Sequence, residues 1–385
     1  MKRASFVDDL TPFLAMEVME RGMAMANAGA PVMQLGVGEP DFDAPPEVIE
    51  ATIQALRDGD THYTDSRGLR SLRERIARDH FERRGVEIDP NRVIVTQGTS
   101  PAIGMVMRLL LEPGDEVIMP TPHYACYPNL IALSGAKAVM VPTMAQDGYA
   151  IDVDEVRKAI TPRTRAILVA SPANPTGAVQ APETLDALAN LGLPFLSDEI
   201  YHGLVFDGYR DHSPAAVSDT CFIFDGFSKR YAMTGFRLGY VIAPESAARP
   251  LQIMQQNLHI SSTHFVQKAA VAALDHGDAH LVMMRETYDR RRRLLLSGLR
   301  DLGFEVPVAP AGAFYILANA KRFGDDSLEL AFEILDKAKV AVGPGRDFGT
   351  LAEGHLRFSY AASEATIEES LHRLGDILPK LGERR

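Results

Sequence analysis

From about residue 90 to residue 243, short β-rich apolar runs alternate with segments of helical period, and this alternation constrains the fold more than any other feature of the chain. Strands joined by crossover helices lie side by side in a mainly parallel sheet, covered on both faces. Such strands read as continuous apolar runs, not as alternating ones. The predicted strands are Val93–Thr96, Glu116–Met119, Ala138–Val141, Ala166–Ala170, Pro194–Ser197, Cys221–Phe224 and Tyr240–Ala243. After Ala243 the character changes. A mostly helical stretch from Phe265 to Leu302 leads into strand-like Phe304–Val306, Ala313–Ala318 and His355–Ala361, a second and smaller α+β unit. Ahead of the sheet, Leu10 to Ala28 reads as a helix and Leu35–Pro40 as a strand and turn.

A chain of 385 residues, 46% hydrophobic and 24% charged, can bury a large core divided over one big or two ordinary domains. Its net charge of -11 disfavours a polyanionic partner such as nucleic acid. The run Arg290 to Arg293 lies in a helical pattern and reads as a solvated, partly paired helix face. Cys126 and Cys221 have no metal-ligand spacing and make no disulfide framework, so no metal site is expected and a reducing cytoplasm fits. The basic residues near Met1 have no apolar stretch behind them, and no eighteen apolar residues run together, so neither secretion nor membrane insertion is expected. Met16, Met19 and Met23 fall at helical spacing and read as packing residues.

In an open α/β sheet, ligands bind beyond the carboxyl ends of the strands, so the polar residues that follow each apolar run come first. One exit reads Thr96-Gln97-Gly98-Thr99-Ser100-Pro101, with Ser100 as candidate N-cap and Pro101 at the first helical position. Free N–H groups at such a helix start, with the hydroxyls of Thr99 and Ser100, suit a phosphate; an ordinary helix cap reads equally well. A second exit, Ser171-Pro172-Ala173-Asn174-Pro175-Thr176-Gly177, fixes a turn that could aim the Asn174 amide at a ligand. A third puts Asp198 at a strand end, where a buried carboxylate needs a cationic or hydrogen-bonding partner such as a protonated ring nitrogen. The fourth, Asp225-Gly226-Phe227-Ser228-Lys229-Arg230, is followed by Arg237. A lysine after a strand is on its own a solvent-facing charge. Beside a phosphate cradle, an aspartate and a guanidinium, it is what an aldehyde-bearing phosphate cofactor requires for a Schiff base.

At these residues the chain resembles the class I/II aminotransferases of the fold-type I pyridoxal-phosphate family, and their bacterial aspartate-aminotransferase-like branch. The resemblance spans nearly the whole chain and rests on Asn174-Pro175-Thr176-Gly177, Asp198-Glu199-Ile200-Tyr201, and Ser228-Lys229 followed by Thr234-Gly235-Phe236-Arg237-Leu238-Gly239. It implies pyridoxal 5′-phosphate as cofactor and an α/β fold: a large domain with a mostly parallel seven-stranded sheet (residues 45–283) and a smaller α+β domain from both termini (1–44 and 284–385). Lys229 would hold the cofactor as a Schiff base and shuttle the α-proton. Asp198 would pair with the ring nitrogen, Asn174 and Tyr201 with the phenolic oxygen, and Tyr124 would stack on the ring. Thr99, Ser100, Ser228 and Arg237 would hold the phosphate. Arg357, helped by the Gly38 backbone, would take the substrate α-carboxylate, and Tyr63 would reach the phosphate of a neighbouring subunit in a homodimer. One position departs from the commoner family pattern: Gly226 stands where many relatives have a phosphate-binding serine, which implies weaker or differently compensated phosphate binding.

The implied reaction is ping-pong transfer of the amino group of an L-amino acid, aspartate or another small one favoured, to a 2-oxo acid such as 2-oxoglutarate. His123, Arg67 and His202 are candidates for reading a distal carboxylate, against a reading as ordinary structural polar residues. A carbon–sulfur β-lyase would use the same lysine, aspartate and arginine. A cofactor-sensing regulatory module would carry an appended DNA-binding region, for which the first forty residues are too few and too acidic.

Overall fold

The computed structural model describes residues 7, 8 and 10–382. Its elements in chain order begin with α1 (Leu14–Asn27), β1 (Met33–Gln34), α2 (Pro46–Arg57), α3 (Arg70–Arg84), β2 (Val93–Thr96), α4 (Thr99–Leu110), β3 (Glu116–Thr121), α5 (Cys126–Ala132) and β4 (Lys137–Pro142). There follow α6 (Val153–Ala159), β5 (Thr164–Ala170), α7 (Pro182–Ala189), β6 (Phe195–Asp198), β7 (Cys221–Gly226), β8 (Gly239–Ile242), α8 (Glu245–Leu258), α9 (His264–His276) and α10 (Asp278–Asp301). The chain closes with β9 (Tyr315–Asn319), α11 (Ser327–Ala338), β10 (Val340–Ala341), β11 (Gly343–Pro344), β12 (His355–Ser359) and α12 (Glu364–Gly382).

The large sheet has seven strands in the order β2-β8-β7-β6-β5-β3-β4, and only β8 runs against its neighbours. Each of the seven strands predicted between residues 90 and 243 is present. Because side chains alternate across a strand, one strand feeds two cores. Val93 and Val95, Ile167 and Val169, and Cys221 and Ile223 pack toward α3, α7 and α9. Ile94, Ala166 and Leu168, and Phe222 and Phe224 pack toward α4, α5 and α8. Burial on both faces is why these strands carry almost no polar residue until their carboxyl ends, where Asp198 and Asp225 stand.

The C-terminal elements build a separate core in which α10, α11 and α12 cover the antiparallel sheet β11-β12-β9. The N-terminal segment joins it through the parallel pair β1–β10, Met33 opposite Val340. Local signals set several element ends. Asp326 accepts from Leu328 N and Glu329 N at the start of α11, and Gly85, in the left-handed region at φ 68°, ends α3.

Some expectations shift. The N-terminal strand is Met33–Gln34, and Leu35–Pro40 is loop, because Gly36 and Gly38 serve close approach: an added Cβ would lie 3.2 Å from Val342 C and 2.7 Å from the Tyr315 hydroxyl, respectively. Phe304–Val306 makes one isolated bridge, Glu305 to Asn319. The strand expected from Ala313 starts at Tyr315, since Ala313 takes a positive φ of 58° that breaks extension. Helix α4 starts at Thr99 with Gly98 as its N-cap, not Ser100; Gly98 sits at φ 103°, open to glycine and strained for other residues. The arginine run is not a uniformly solvated face. Arg291 and Arg292 are buried, on Asp41 and on Asp207 with Asp289, while Arg290 and Arg293 are exposed.

Under the carboxyl end of β7 lies a buried charge network. Arg230 donates to Asp79 Oδ2 at 2.8 Å and Asp225 Oδ2 at 2.9 Å, and Arg84 reaches the same Asp225 oxygen at 3.3 Å. Burial pushes Asp79 up, but the guanidiniums of Arg230, Arg83 and Arg84 outweigh it and hold the carboxyl well below its ordinary range. A depressed carboxylate stabilises the fold above its unfolded pKa and loses that contribution as pH falls through the folded value. We expect Asp79→Asn to cost about 3–5 kcal/mol in urea unfolding at neutral pH, because it strands a buried guanidinium. The difference from wild type should shrink as pH drops below the ordinary value of 3.8.

Candidate active site

The carboxyl ends of β2, β6 and β7 open onto a cavity of 360 Å³. Its wall contains Gly38, Thr99, Ser100, Tyr124, Asn174, Asp198, Tyr201, Ser228, Lys229, Arg237 and Arg357. Residues more than three hundred positions apart meet there because the loop after β1 and strand β12 fold over the edge of the large sheet. Of the residues to which the resemblance gives a role, Tyr63 is set apart: it lies outside the cavity and is 77% exposed.

Lys229 is held at the cavity wall with Nζ donating to the Gly38 carbonyl at 2.7 Å. Burial, reinforced by the nearby Arg237 and Arg357 charges, pulls its pKa down to about 8, against the opposing charge of Glu39. A neutral amine, the form that attacks an aldehyde, is therefore accessible near physiological pH.

Asp198 is buried, with Oδ2 accepting from the Tyr127 hydroxyl at 2.6 Å and Oδ1 from Ile200 N at 3.2 Å. Burial raises its pKa to about 6 despite these donors. A carboxylate so placed gains from a cation in the cavity. Tyr124 packs edge-on to Tyr127, centroids 5.3 Å apart, and to Phe13 at 6.2 Å.

Arg357 is 2% exposed, yet both hydrogen bonds it makes run to neutral oxygens, Asn174 Oδ1 at 2.9 Å and the Gly36 carbonyl at 2.7 Å. Its Nε is buried without a partner. The rings of Tyr315 and Phe348 lie 4.5 and 4.9 Å from the guanidinium carbon. A buried guanidinium met by aromatic faces and carbonyls, with a donor to spare, is an anion site. Because Asn174 Oδ1 is engaged, its NH2 group is left to donate into the cavity.

Toward the start of α4, Gly98, Gly226 and Gly239 bring three backbones together. An added Cβ on Gly239 would sit 2.8 Å from Gly98 C, and one on Gly226 would sit 3.0 Å from Gly239 Cα and 3.1 Å from Leu238 O. In this chain the position-226 glycine thus sits in a tight spot: a serine there would need the facing backbone to give by a few tenths of an ångström. The neighbouring amides of α4, with Thr99, Ser100, Ser228 and Arg237, gather donors at a helix start, a set that suits a phosphate. The donor set therefore fits pyridoxal phosphate at each end: an anion cradle, a buried carboxylate, and a lysine with lowered pKa.

Sequence reasoning missed Tyr127, Tyr315, Glu39 and Phe13, all of which line the cavity. Phe13 falls in the stretch Leu10 to Ala28 that reads as a helix but lies just ahead of α1, and no motif singles out Tyr127 or Tyr315. Met16 and Met19, expected to be packing, line the cavity too, and Met23 is exposed; the packed face of α1 is Ala15, Val18 and Gly22. Of the three candidates for a distal carboxylate, none lines the cavity. His123 is buried with Nδ1 at 3.1 Å from the Tyr124 carbonyl, Arg67 pairs with Asp65, and His202 accepts from Arg84. Among the described residues no group of acidic, histidine or cysteine side chains could hold a metal, and no helix is long and apolar enough to cross a membrane.

A fold of this topology with a lysine, a buried aspartate and a phosphate cradle at the strand ends defines a fold-type I pyridoxal-phosphate enzyme. Residues 30–374 match the family aminotransferase class I and II, and the chain belongs to that family. It is similar to the aspartate/prephenate aminotransferase of Thermus thermophilus, 37% identical over 380 residues and 97% of both chains. It is equally similar to an arginine–pyruvate transaminase of Pseudomonas aeruginosa, 37% over 368 residues, 94% of this chain and 93% of the relative. The solved aspartate aminotransferase from Thermus thermophilus with maleate superposes with a TM-score of 0.94 at 37% identity, covering 98% of this chain and all of that one, 100%. The protein is a pyridoxal-phosphate-dependent amino acid aminotransferase. The relatives' names favour neither the lyase nor the regulatory reading.

The position of Lys229 yields a direct test. With a pKa of about 8, about one amine in ten is neutral at pH 7, against about one in three thousand for an ordinary lysine. In the cofactor-free protein, the rate of borohydride-trapped capture of pyridoxal phosphate should rise tenfold per pH unit up to about 8 and then level. A rate still climbing toward the ordinary lysine value of 10.5 contradicts the assignment.

Proposed function

We propose that the chain transfers the amino group of an L-amino acid to a 2-oxo acid such as 2-oxoglutarate by ping-pong chemistry, with the residues of this cavity in the following roles. Lys229 would hold pyridoxal phosphate through its Nζ, and the same amine would take up the proton of the substrate α-carbon. Asp198 keeps the ring nitrogen protonated, with Tyr127 orienting the carboxylate. When bound, the cofactor accepts the electron pair left at the α-carbon. Asn174 and Tyr201 donate to its phenolic oxygen, Tyr124 covers one ring face, and Thr99, Ser100, Ser228 and Arg237 hold the phosphate. Arg357 binds the substrate α-carboxylate, with the Gly38 backbone alongside.

The observation that carries this reading is the pairing, in one cavity, of an easily deprotonated Lys229 with a buried Arg357 whose hydrogen bonds reach only neutral oxygens. A carboxylate arriving at Arg357 brings its α-amino group toward the lysine, so recognition and chemistry share one substrate pose.

We extend the proposal to organisation. The separate core around β9, β12 and α10 to α12 supports residues 1–44 and 284–385 as a small domain against a large domain of 45–283, with the site between them. The exposed Tyr63 supports a homodimer in which it reaches the partner's phosphate. Thr64 N donates to Ser261 Oγ, which brings the Tyr63 segment beside the exposed Ile260. The two unpaired cysteines, Cys126 and Cys221, support a reducing, cytoplasmic setting. Aspartate is one donor that the Thermus relatives bring forward; arginine with pyruvate, in a relative of equal identity, is another.

The test is a donor screen without any 2-oxo acid. Each accepted donor should bleach the visible band of the bound cofactor in a single stoichiometric event and then stop, resuming when 2-oxoglutarate is added. Continued release of pyruvate without an acceptor would instead mark a lyase. Lys229→Ala should abolish the event, a loss of at least about 10³-fold in rate.

A further inference from the structure

Tyr315 has no role in the assignments above, yet it touches Arg357, Tyr201 and Gly38 at once. It is fully buried on β9, opposite Ser359 of β12. Its ring lies under the Arg357 guanidinium, 4.5 Å from the central carbon. Its hydroxyl is 2.9 Å from the hydroxyl of Tyr201. The same hydroxyl packs so tightly on Gly38 that an added Cβ there would lie 2.7 Å away, and the Gly38 carbonyl holds Lys229.

We propose that Tyr315 is a positioning residue that locks the carboxylate-binding Arg357 and the cofactor-facing Tyr201 into one unit. The inference rests on the roles given to those two residues above. The direction of the tyrosine pair follows from them. Tyr201 has one hydroxyl proton, and if that proton is spent on the phenolic oxygen of the cofactor, the hydrogen between the tyrosines comes from Tyr315. Tyr315 therefore donates to Tyr201, and Tyr201 donates onward. A donor that itself accepts a hydrogen bond is polarised and donates more strongly. The ring does a second, separable job. It presents a π face to a buried cation, holding the guanidinium plane while the bonds to Asn174 and Gly36 fix its edge.

Two substitutions separate these jobs. Tyr315→Phe keeps the ring and removes the donor. In the holoenzyme the titration midpoint of the visible band should move up by roughly half a unit, the size of one lost neutral hydrogen bond, while KM for the amino donor stays within about twofold. Tyr315→Leu removes both. It should show the same midpoint shift and in addition weaken binding of a non-reactive dicarboxylate such as maleate by about tenfold or more, read by calorimetry. In a Tyr201→Phe background the midpoint shift caused by Tyr315→Phe should vanish.

An unmoved midpoint in Tyr315→Phe, or a shift that persists without the Tyr201 hydroxyl, overturns the donor role. Wild-type maleate affinity in Tyr315→Leu overturns the ring's role. Should Tyr315→Leu not fold, Tyr315→Phe and the Tyr201→Phe cycle still decide the donor role. A purely structural tyrosine would lower thermal stability in both variants and move neither readout. Failure of the underlying functional reading looks different, since wild-type protein would then develop no visible band with pyridoxal phosphate.

Discussion

Arg357 is the constraint around which the site is organised. A buried guanidinium costs several kcal/mol unless its charge is answered, and here the answer is given by carbonyl oxygens and aromatic faces, with no carboxylate among its hydrogen-bond acceptors. The charge remains available to a substrate. Much of the surrounding architecture follows from supporting it: Gly36 brings the N-terminal loop close enough to offer its carbonyl, β9 supplies Tyr315, and the turn after β5 supplies Asn174. Burial first, with smaller contributions from Arg237 and Arg357, lowers the pKa of Lys229, so the residues proposed for substrate recognition and for cofactor attachment are electrostatically linked.

Beneath this cavity a second set of buried charges performs a structural task. Asp79, Arg84, Asp225 and Arg230 tie α3 to the end of β7, directly before and after the segment that presents Lys229. Ser228 and Lys229 thus project from a loop whose two flanks are clamped by ion pairs in a low-dielectric setting. The cost of burying those charges is offset by their mutual pairing, and the gain is a lysine whose backbone is held while its side chain faces the cavity.

Much of the fold was legible in the chain because a doubly covered sheet leaves a strong local trace: apolar runs of strand length, each ending in polar residues. All seven strands of the large sheet fell where the pattern put them. The small unit was less legible. Phe304–Val306 has strand composition yet makes a single bridge, and Ala313 cannot extend the strand before Tyr315 because its backbone is left-handed. The charged run at Arg290 misled for a related reason, since helical spacing shows which residues share a face but not what covers it. Only the position of Asp41 and Asp207 buries Arg291 and Arg292.

By itself the sequence determined which groups stand at strand ends: Thr99, Asn174, Asp198 and Lys229 follow apolar runs, and parallel topology sends those ends to one edge. It also carried Ser228, Arg237 and Arg357 through motif resemblance. What only the tertiary structure decided is how long-range neighbours complete them. Tyr127 on Asp198, Tyr315 between Arg357 and Tyr201, and the Gly38 carbonyl on Lys229 join residues 71, 114 and 191 positions apart. Local pattern encodes periodicity and strand ends, whereas hydrogen bonds, burial and the resulting pKa values depend on which segments the packing brings into contact.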